Sequence, residues 1–351
     1  MSKRTFALII FFLTISARTP AQDDPASQTG QLMIGKAMSI GALGSADTPP
    51  MTVKAVISIA QSNAETAKGT YEMLWMSQRR WRQEVRFGNY SRIRVANAGG
   101  YWQSSSVPFR PYFMSELDKM VDVSDMVGAE KHASFGKVQE RQVSNTHARC
   151  IQAKPSSNEP GTRYCFDSVT GSLIQVDFPK PEFAPPQLVD RVEYDDIRQK
   201  GDKLIPFRVQ IFRQDKVFMT FQIAEIGAAP ADPAAVSSLP PNSAFWPACN
   251  PSRHFELQNR VQPQYPEGAR QNHESGRVLL YGVIEGDGTV SNLQVIVSAT
   301  PRLDAAAMDA VRHWRYKPMT CDVPATPLDS PGAPGAVRME TSIEVVFALR
   351  H

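Results

Sequence analysis

The chain has 351 residues, 42 % of them hydrophobic and 21 % charged, with a formal net charge of +3. That length suits two ordinary domains, and the composition excludes a wholly disordered chain. The charge is too small for a nucleic-acid-binding surface, and no dense Lys/Arg run appears.

Lys3 and Arg4 precede an apolar run from Phe6 to Ile15, with small residues at Thr19 and Ala21 before Gln22-Asp23-Asp24. Residues 1–21 therefore read as a signal peptide, and the mature protein as periplasmic. The run is shorter than the ~20 residues that cross a bilayer. An uncleaved, single-pass anchor in the inner membrane is the alternative. Residues 22–30 are polar and read as loose, and Leu32 to Leu43 as a short helix weakened by Gly35 and Gly41.

From Val53 to Gly227 the pattern alternates with period two, as in half-buried strands. Val53, Ala55, Ile57 and Ile59 share one face. Tyr71, Met73 and Trp75 follow, then Trp81, Gln83, Val85 and Phe87, then Ile93 and Val95. Arg79, Arg80, Arg82 and Arg86 form the wet side of one strand. Met114 to Met126 is the one helix expected inside this region. The β pattern resumes at Phe135 and runs on through Phe207, Val209 and Ile211. About ten long strands with hairpin-length links predict one large, curved antiparallel sheet over residues 30–227. A closed barrel is the rival. Residues 228–244, rich in Pro and Ala, read as a linker that extends at ~3.1 Å per residue.

Four cysteines suit an oxidising compartment. They allow three connectivities. Cys150–Cys165 and Cys249–Cys321 are favoured, because each closes a loop within or at the border of one domain, and free buried thiols are the alternative. No Cys-x-x-Cys spacing, histidine cluster, phosphate loop or Gly-x-Ser-x-Gly appears, so neither enzyme, metal site nor cofactor is expected.

Residues 245–351 read as a separate ββαβ domain. Gly276 to Glu285 and Val290 to Val297 form a hairpin around Gly286-Asp287-Gly288. Leu303 to Trp314 is a helix with an apolar stripe, started by Thr300-Pro301 and stopped by Pro318. Met339 to Leu349 is the closing strand. The fold class is thus α+β, a large antiparallel half-barrel sheet followed by a small ββαβ unit.

The ordered residues Gln264-Tyr265-Pro266, Ala269, Gly276-x-Val278, Asp287-Gly288-x-Val290, Leu303-Asp304-x-Ala306 and Trp314-Arg315-Tyr316-x-Pro318 resemble the C-terminal domain of the TonB family. So does the last strand, which ends Val-Phe-x-Leu. Transducers of that family work with ExbB and ExbD and grip a short extended segment, the TonB box, of an outer-membrane TonB-dependent transporter. The resemblance implies β-augmentation on the edge formed by Met339, Glu340, Thr341, Ser342, Ile343, Glu344, Val345, Val346, Phe347, Ala348 and Leu349. It implies framework roles for Tyr265, Pro266, Gly276, Gly288, Asp304, Trp314 and Pro318. ExbB and ExbD are partners only if the N-terminus is an uncleaved anchor. The chain departs from a transducer in its short signal-like run, its short uncharged linker and its long loop between Pro318 and Val337. Residues 30–227 resemble, in architecture alone, the half-barrel of LolA-like lipoprotein carriers. The alternative function is a periplasmic carrier of lipid or another apolar ligand that uses the TonB-like domain as its address, motivated by the half-barrel analogy and by abundant aromatics and methionines, Trp75, Met76, Trp102, Phe113 and Met114 among them.

Overall fold

A computed structural model describes residues 25–60, 66–107, 109–123, 126, 134–154, 161–179, 189–213, 215–245, 256–318 and 339–349. The signal peptide, Cys249 and Cys321 lie outside the described residues.

Strands β1 (Met51–Ala60), β2 (Thr66–Ser77), β3 (Arg80–Phe87), β4 (Tyr90–Asn97) and β5 (Gly100–Ser105) form an antiparallel meander. The short β6 (Ser134–Phe135) and β7 (Gln139–Val143) precede β8 (Thr146–Lys154), β9 (Thr162–Asp167) and β10 (Leu173–Asp177). Then come β11 (Arg191–Lys200), β12 (Lys203–Arg213), β13 (Lys216–Gly227) and a late β14 (Ala244–Phe245). All belong to one sheet, in the order β14-β5-β4-β3-β2-β1-β13-β12-β11-β10-β9-β8-β6, with β7 also on β8. That order has two ends, so the sheet is open and the closed-barrel alternative is set aside.

The period-two pattern buries one face. Val53, Ala55, Ile57 and Ile59 are at most 9 % exposed, and Phe207, Val209 and Ile211 at most 2 %. Helix α1 (Pro25–Gly41) and helix α2 (Tyr112–Met120) fill that face. Helix α1 starts earlier than expected and takes in residues read as loose. Gly30 lies so close to Phe135 that a Cβ would meet the ring at 2.4 Å. The Lys203 ammonium closes the far end of α1, donating to the Ser39 carbonyl (2.6 Å) and Ser45 Oγ (2.8 Å), the favourable sign for a helix C-terminus. Helix α2 begins two residues earlier than expected and ends at Met120, beyond which Val123 and Met126 are again helical. Its terminal Met120 carbonyl accepts from the buried Tyr194 hydroxyl at 2.7 Å.

Two expectations are corrected. In β4 the inward residues include Arg92 and Arg94, 2 % and 7 % exposed, while Ile93 turns to the other face. Register explains it: Arg92 sits opposite Val85, a residue of the core face. The stretch 228–244 is not an extended tether. It folds into α3 (Pro233–Ser237), capped by Asp232, whose carboxylate accepts from the Ala234 N–H at 2.8 Å. Val236 is fully buried. Arg80 donates to the Pro233 carbonyl and Ser237 Oγ, and Arg82 to the Ser238 carbonyl. These arginines of the wet face strap the segment onto the sheet.

Cys150 and Cys165 are bonded directly across β8 and β9. Both are about 1 % exposed, beside Ala148. Replacing both by alanine is expected to lower stability by about 3 kcal/mol, the chain-entropy value for a loop of about 15 residues. Urea denaturation of oxidised, reduced and substituted protein checks this, and coincident curves refute it.

The C-terminal domain contains β15 (Leu257–Asn259), α4 (Glu267–Gln271), β16 (Gly276–Ile284), β17 (Val290–Val297), α5 (Pro301–Arg312), β18 (Arg315–Tyr316) and β19 (Met339–Phe347). The three main strands lie in the order β17-β16-β19, all antiparallel, with α5 packed on one face. Sequence reasoning missed the small pair β15–β18, whose strands are too short to show a period.

Candidate docking surface

The recurring motif residues hold the small domain together. Thr300 caps α5 through the Leu303 N–H, and Pro301 begins its first turn. Asp304 reaches back to the Ala299 N–H (3.1 Å) and Ser298 Oγ. The Tyr265 hydroxyl donates to the Glu274 carbonyl, and its ring meets Phe347 edge-on at 5.5 Å. Pro266 precedes α4, where its carbonyl accepts from the Ala269 and Arg270 N–H groups. Trp314 is 5 % exposed, and its indole N–H donates to the Val261 carbonyl at 2.9 Å. Gly288 has φ +84° and packs on the Tyr316 backbone, leaving no room for a Cβ, while its carbonyl accepts from the Tyr316 N–H. The tip of the hairpin is thereby tied to the residue two before Pro318.

Strand β19 pairs with β16 in unbroken register, from Gly276↔Phe347 to Ile284↔Met339. Its other edge has no strand partner among the described residues. The opposite end of the sheet differs, because pairing of β17 with β16 is interrupted by two register shifts. Bulges twist an edge away from further pairing. Strand β19 is therefore the better template. Ile343, Val345 and Phe347 face α5 and are at most 5 % exposed, whereas Val346 is 52 % exposed. At the end of the strand an open cleft of ≈ 530 Å³ is lined by His273, Gly276, Arg277, Val346, Ala348 and Leu349 among others.

The charged residues of β19 are engaged on the face turned away from α5. Glu344 accepts from the Arg277 guanidinium at 3.1 Å. Glu340 reaches the large domain: its Oε1 accepts from the Arg110 N–H at 2.9 Å, and Oε2 lies 3.9 Å from the Arg110 guanidinium. The Tyr281 hydroxyl of β16 donates to the Arg110 carbonyl at 3.2 Å, and its ring meets Tyr112 edge-on at 5.2 Å. Burial pushes the Tyr281 hydroxyl pKa up to about 12, so it stays a donor at neutral pH.

Behind this junction lies a buried charge cluster that the sequence did not announce. Asp118 of α2 accepts from Arg92 (2.6 and 2.7 Å) and Arg94 (3.1 Å), with Arg110 4.0 Å away. Burial would raise the Asp118 carboxyl, but Arg92 and Arg94 outweigh it and hold it below the usual range. Burial lowers Arg94 to about 10. Glu116, two residues before it in α2, is pushed up by burial. Arg213 stacks on Phe218 and Tyr112, at 3.4 and 4.4 Å from the ring centroids. Arg110 Nε and Arg213 Nε and Nη2 are buried without a hydrogen-bond partner among the described residues. Each such group costs about 1–3 kcal/mol, while an ordinary hydrogen bond returns about 0.5–1.5 kcal/mol.

Three of the aromatics and methionines that motivate the carrier alternative pack in or against the core. Trp75 is 4 % exposed with its N–H on the Thr48 carbonyl, and Met114 is fully buried. Phe113 packs between Phe87 and Tyr90. An acyl chain on this face would have to displace α2. A second open cleft, ≈ 1090 Å³, lies at the margin of the sheet between Arg79, Arg80, Tyr101, Trp102 and Leu239. Among the described residues there is no group of three or more metal-ligating side chains, and no helix long and apolar enough to cross a membrane.

Residues 261–329 match the family described as Gram-negative bacterial TonB protein C-terminal. Protein TonB of Xanthomonas campestris pv. campestris is 38 % identical over 63 residues, 18 % of this chain and 28 % of the relative. The chain therefore spans little more than a quarter of the curated relatives it matches. Among solved structures, a LolA superfamily protein from Nitrosomonas europaea is similar at 12 % identity and a TM-score of 0.39, covering 59 % of this chain and 97 % of that one. A DUF1329 family protein from Desulfovibrio piger is similar at 10 % identity and a TM-score of 0.41, covering 60 % and 99 %.

Proposed function

We propose that this chain, whose C-terminal domain is of the TonB C-terminal type, is a non-catalytic, exported envelope protein that docks a partner by adding the partner's extended segment to β19. The observation that carries this reading is the contrast between the two ends of the small sheet. One edge is bulged, while β19 is in unbroken register with its outer side unpaired. Main-chain hydrogen bonds then supply affinity, and alternate side chains supply selectivity. A segment of TonB-box type from an outer-membrane transporter is the partner class that the family relationship favours. The cleft beyond Val346 would receive the end of such a segment.

The test is titration of the full mature protein with synthetic TonB-box peptides, followed by calorimetry. Val346→Pro removes one backbone N–H from β19, and the fold survives while docking fails where that N–H points outward, away from β16. We expect folded Val346→Pro protein to bind at least about tenfold more weakly, the worth of one or two hydrogen bonds. A folded variant that binds at full strength removes β19 from the docking site. Failure of every such peptide to bind the unsubstituted protein removes the docking reading itself.

A further inference from the structure

We infer that Arg110 and Tyr112 form a latch that holds the outer face of the docking sheet against the large domain, and that strand addition at β19 and closure of this latch oppose each other. The second half of this inference rests on the docking reading, and the first half does not.

The backbone of Arg110 is used in both directions. Its N–H donates to Glu340, a residue of β19 itself, and its carbonyl accepts from Tyr281 of β16. Val283↔Glu340 and Tyr281↔Ser342 are opposite pairs, which puts the two anchoring side chains on one face, away from α5. The latch therefore covers a face of the sheet and leaves the β19 edge open. The Arg110 guanidinium stands between Glu340 (3.9 Å) and Asp118 (4.0 Å), and Asp118 is held in turn by Arg92 and Arg94. A continuous series of charged contacts thus runs from the core of the large sheet to the edge strand of the small one.

Two features make this contact releasable. The closed state keeps Arg110 Nε dry and without a hydrogen-bond partner among the described residues, so water reaching it on opening favours the open state. A strand added beside β19 also projects alternate side chains onto the face where Arg110 lies, about 4.5–5.5 Å from Glu340. Those side chains compete with Arg110 for the same carboxylate and the same space. Linkage then requires that whatever opens the latch strengthens docking by the factor with which docking opens the latch.

The variant Arg110→Ala/Tyr281→Phe removes the guanidinium and the hydroxyl without touching β19, and Tyr281→Phe alone is the control should the pair fold poorly. Amide hydrogen exchange over residues 109–120 and 276–284, with small-angle scattering, reads the latch in the full protein. We expect exchange about tenfold faster in both stretches and a larger radius of gyration, with the same pattern in unsubstituted protein saturated with a TonB-box peptide. Peptide affinity should rise by about tenfold in the variant, the worth of one ordinary hydrogen bond. Unchanged exchange and scattering in the folded variant would overturn the latch. Faster exchange with no gain in affinity would overturn its opposition to docking. If no peptide binds either protein, the docking reading fails, and exchange and scattering alone decide the latch.

Discussion

Truncating Phe347 to alanine is expected to destabilise the C-terminal domain by about 3–5 kcal/mol. The ring is 4 % exposed, stands edge-on to Tyr265 and lies opposite Gly276, where no side chain can move in to replace it. A domain stabilised by about 5–15 kcal/mol loses between about a fifth and the whole of that margin. Tyr265 would also lose the aromatic contact that fixes it beneath the chain entering α4. The neighbouring Val346→Ala removes a half-exposed side chain and should change stability by no more than about 0.5 kcal/mol. Urea denaturation followed by Trp314 fluorescence separates the two. Equal midpoints for both variants would mean that Phe347 is not part of this core.

A loss of similar size is expected from Asp118→Ala, now in the large domain. The change leaves Arg92 and Arg94, with side chains 1 % and 8 % exposed, as buried cations without their shared carboxylate. Breaking a buried pair from one side typically costs about 3–5 kcal/mol. Asp118→Asn keeps an acceptor and should cost less. A loss below about 1 kcal/mol would show that water reaches the two guanidinium groups.

The same helix makes acid stability depend on two groups of opposite sign. Asp118 has a depressed pKa in the folded protein, so its contribution is present above the ordinary value of about 3.9 and lost as pH falls through the folded value. Glu116 has a raised one, so its contribution is present below the ordinary value of about 4.3 and lost as pH rises through the folded value. Asp118→Asn should therefore flatten the acid limb of the stability profile, and Glu116→Gln should raise stability at neutral pH.

The small domain was legible because its signals are local. Gly-Asp-Gly fixes a hairpin, Thr300-Pro301 starts a helix, and Ile343, Val345 and Phe347 alternate as a half-buried strand must. The open sheet was legible for the same reason, since each strand's period shows in its own residues. The inward arginines were not. Ile93 and Val95 alternate as plausibly as Arg92 and Arg94, and only the register against Val85 and the distant Asp118 decides which pair joins the core face, although Val95 is buried on the other. Nor was the strap: Ala228 to Ser243 has the composition of a tether, and its docking depends on Arg80 and Arg82 finding its carbonyls. The interdomain contact was beyond reach because its donor is a backbone N–H at Arg110, and every residue offers one of those.

The seam between the two halves of the large sheet has a consequence for the order in which the protein can be made. Strands β1 to β5 close with neighbours in sequence, as do β8 to β13, but Thr52 to Ile59 must wait for Met219 to Gly227. Closing so long a loop is entropically expensive, and non-local pairings of this kind slow folding. As the chain emerges across the membrane from its N-terminus, β1 appears well before β13. During that interval one edge of β1, carrying Val53, Ala55 and Ile57, has no partner of its own. A nascent chain of this design needs that edge shielded until its far half arrives.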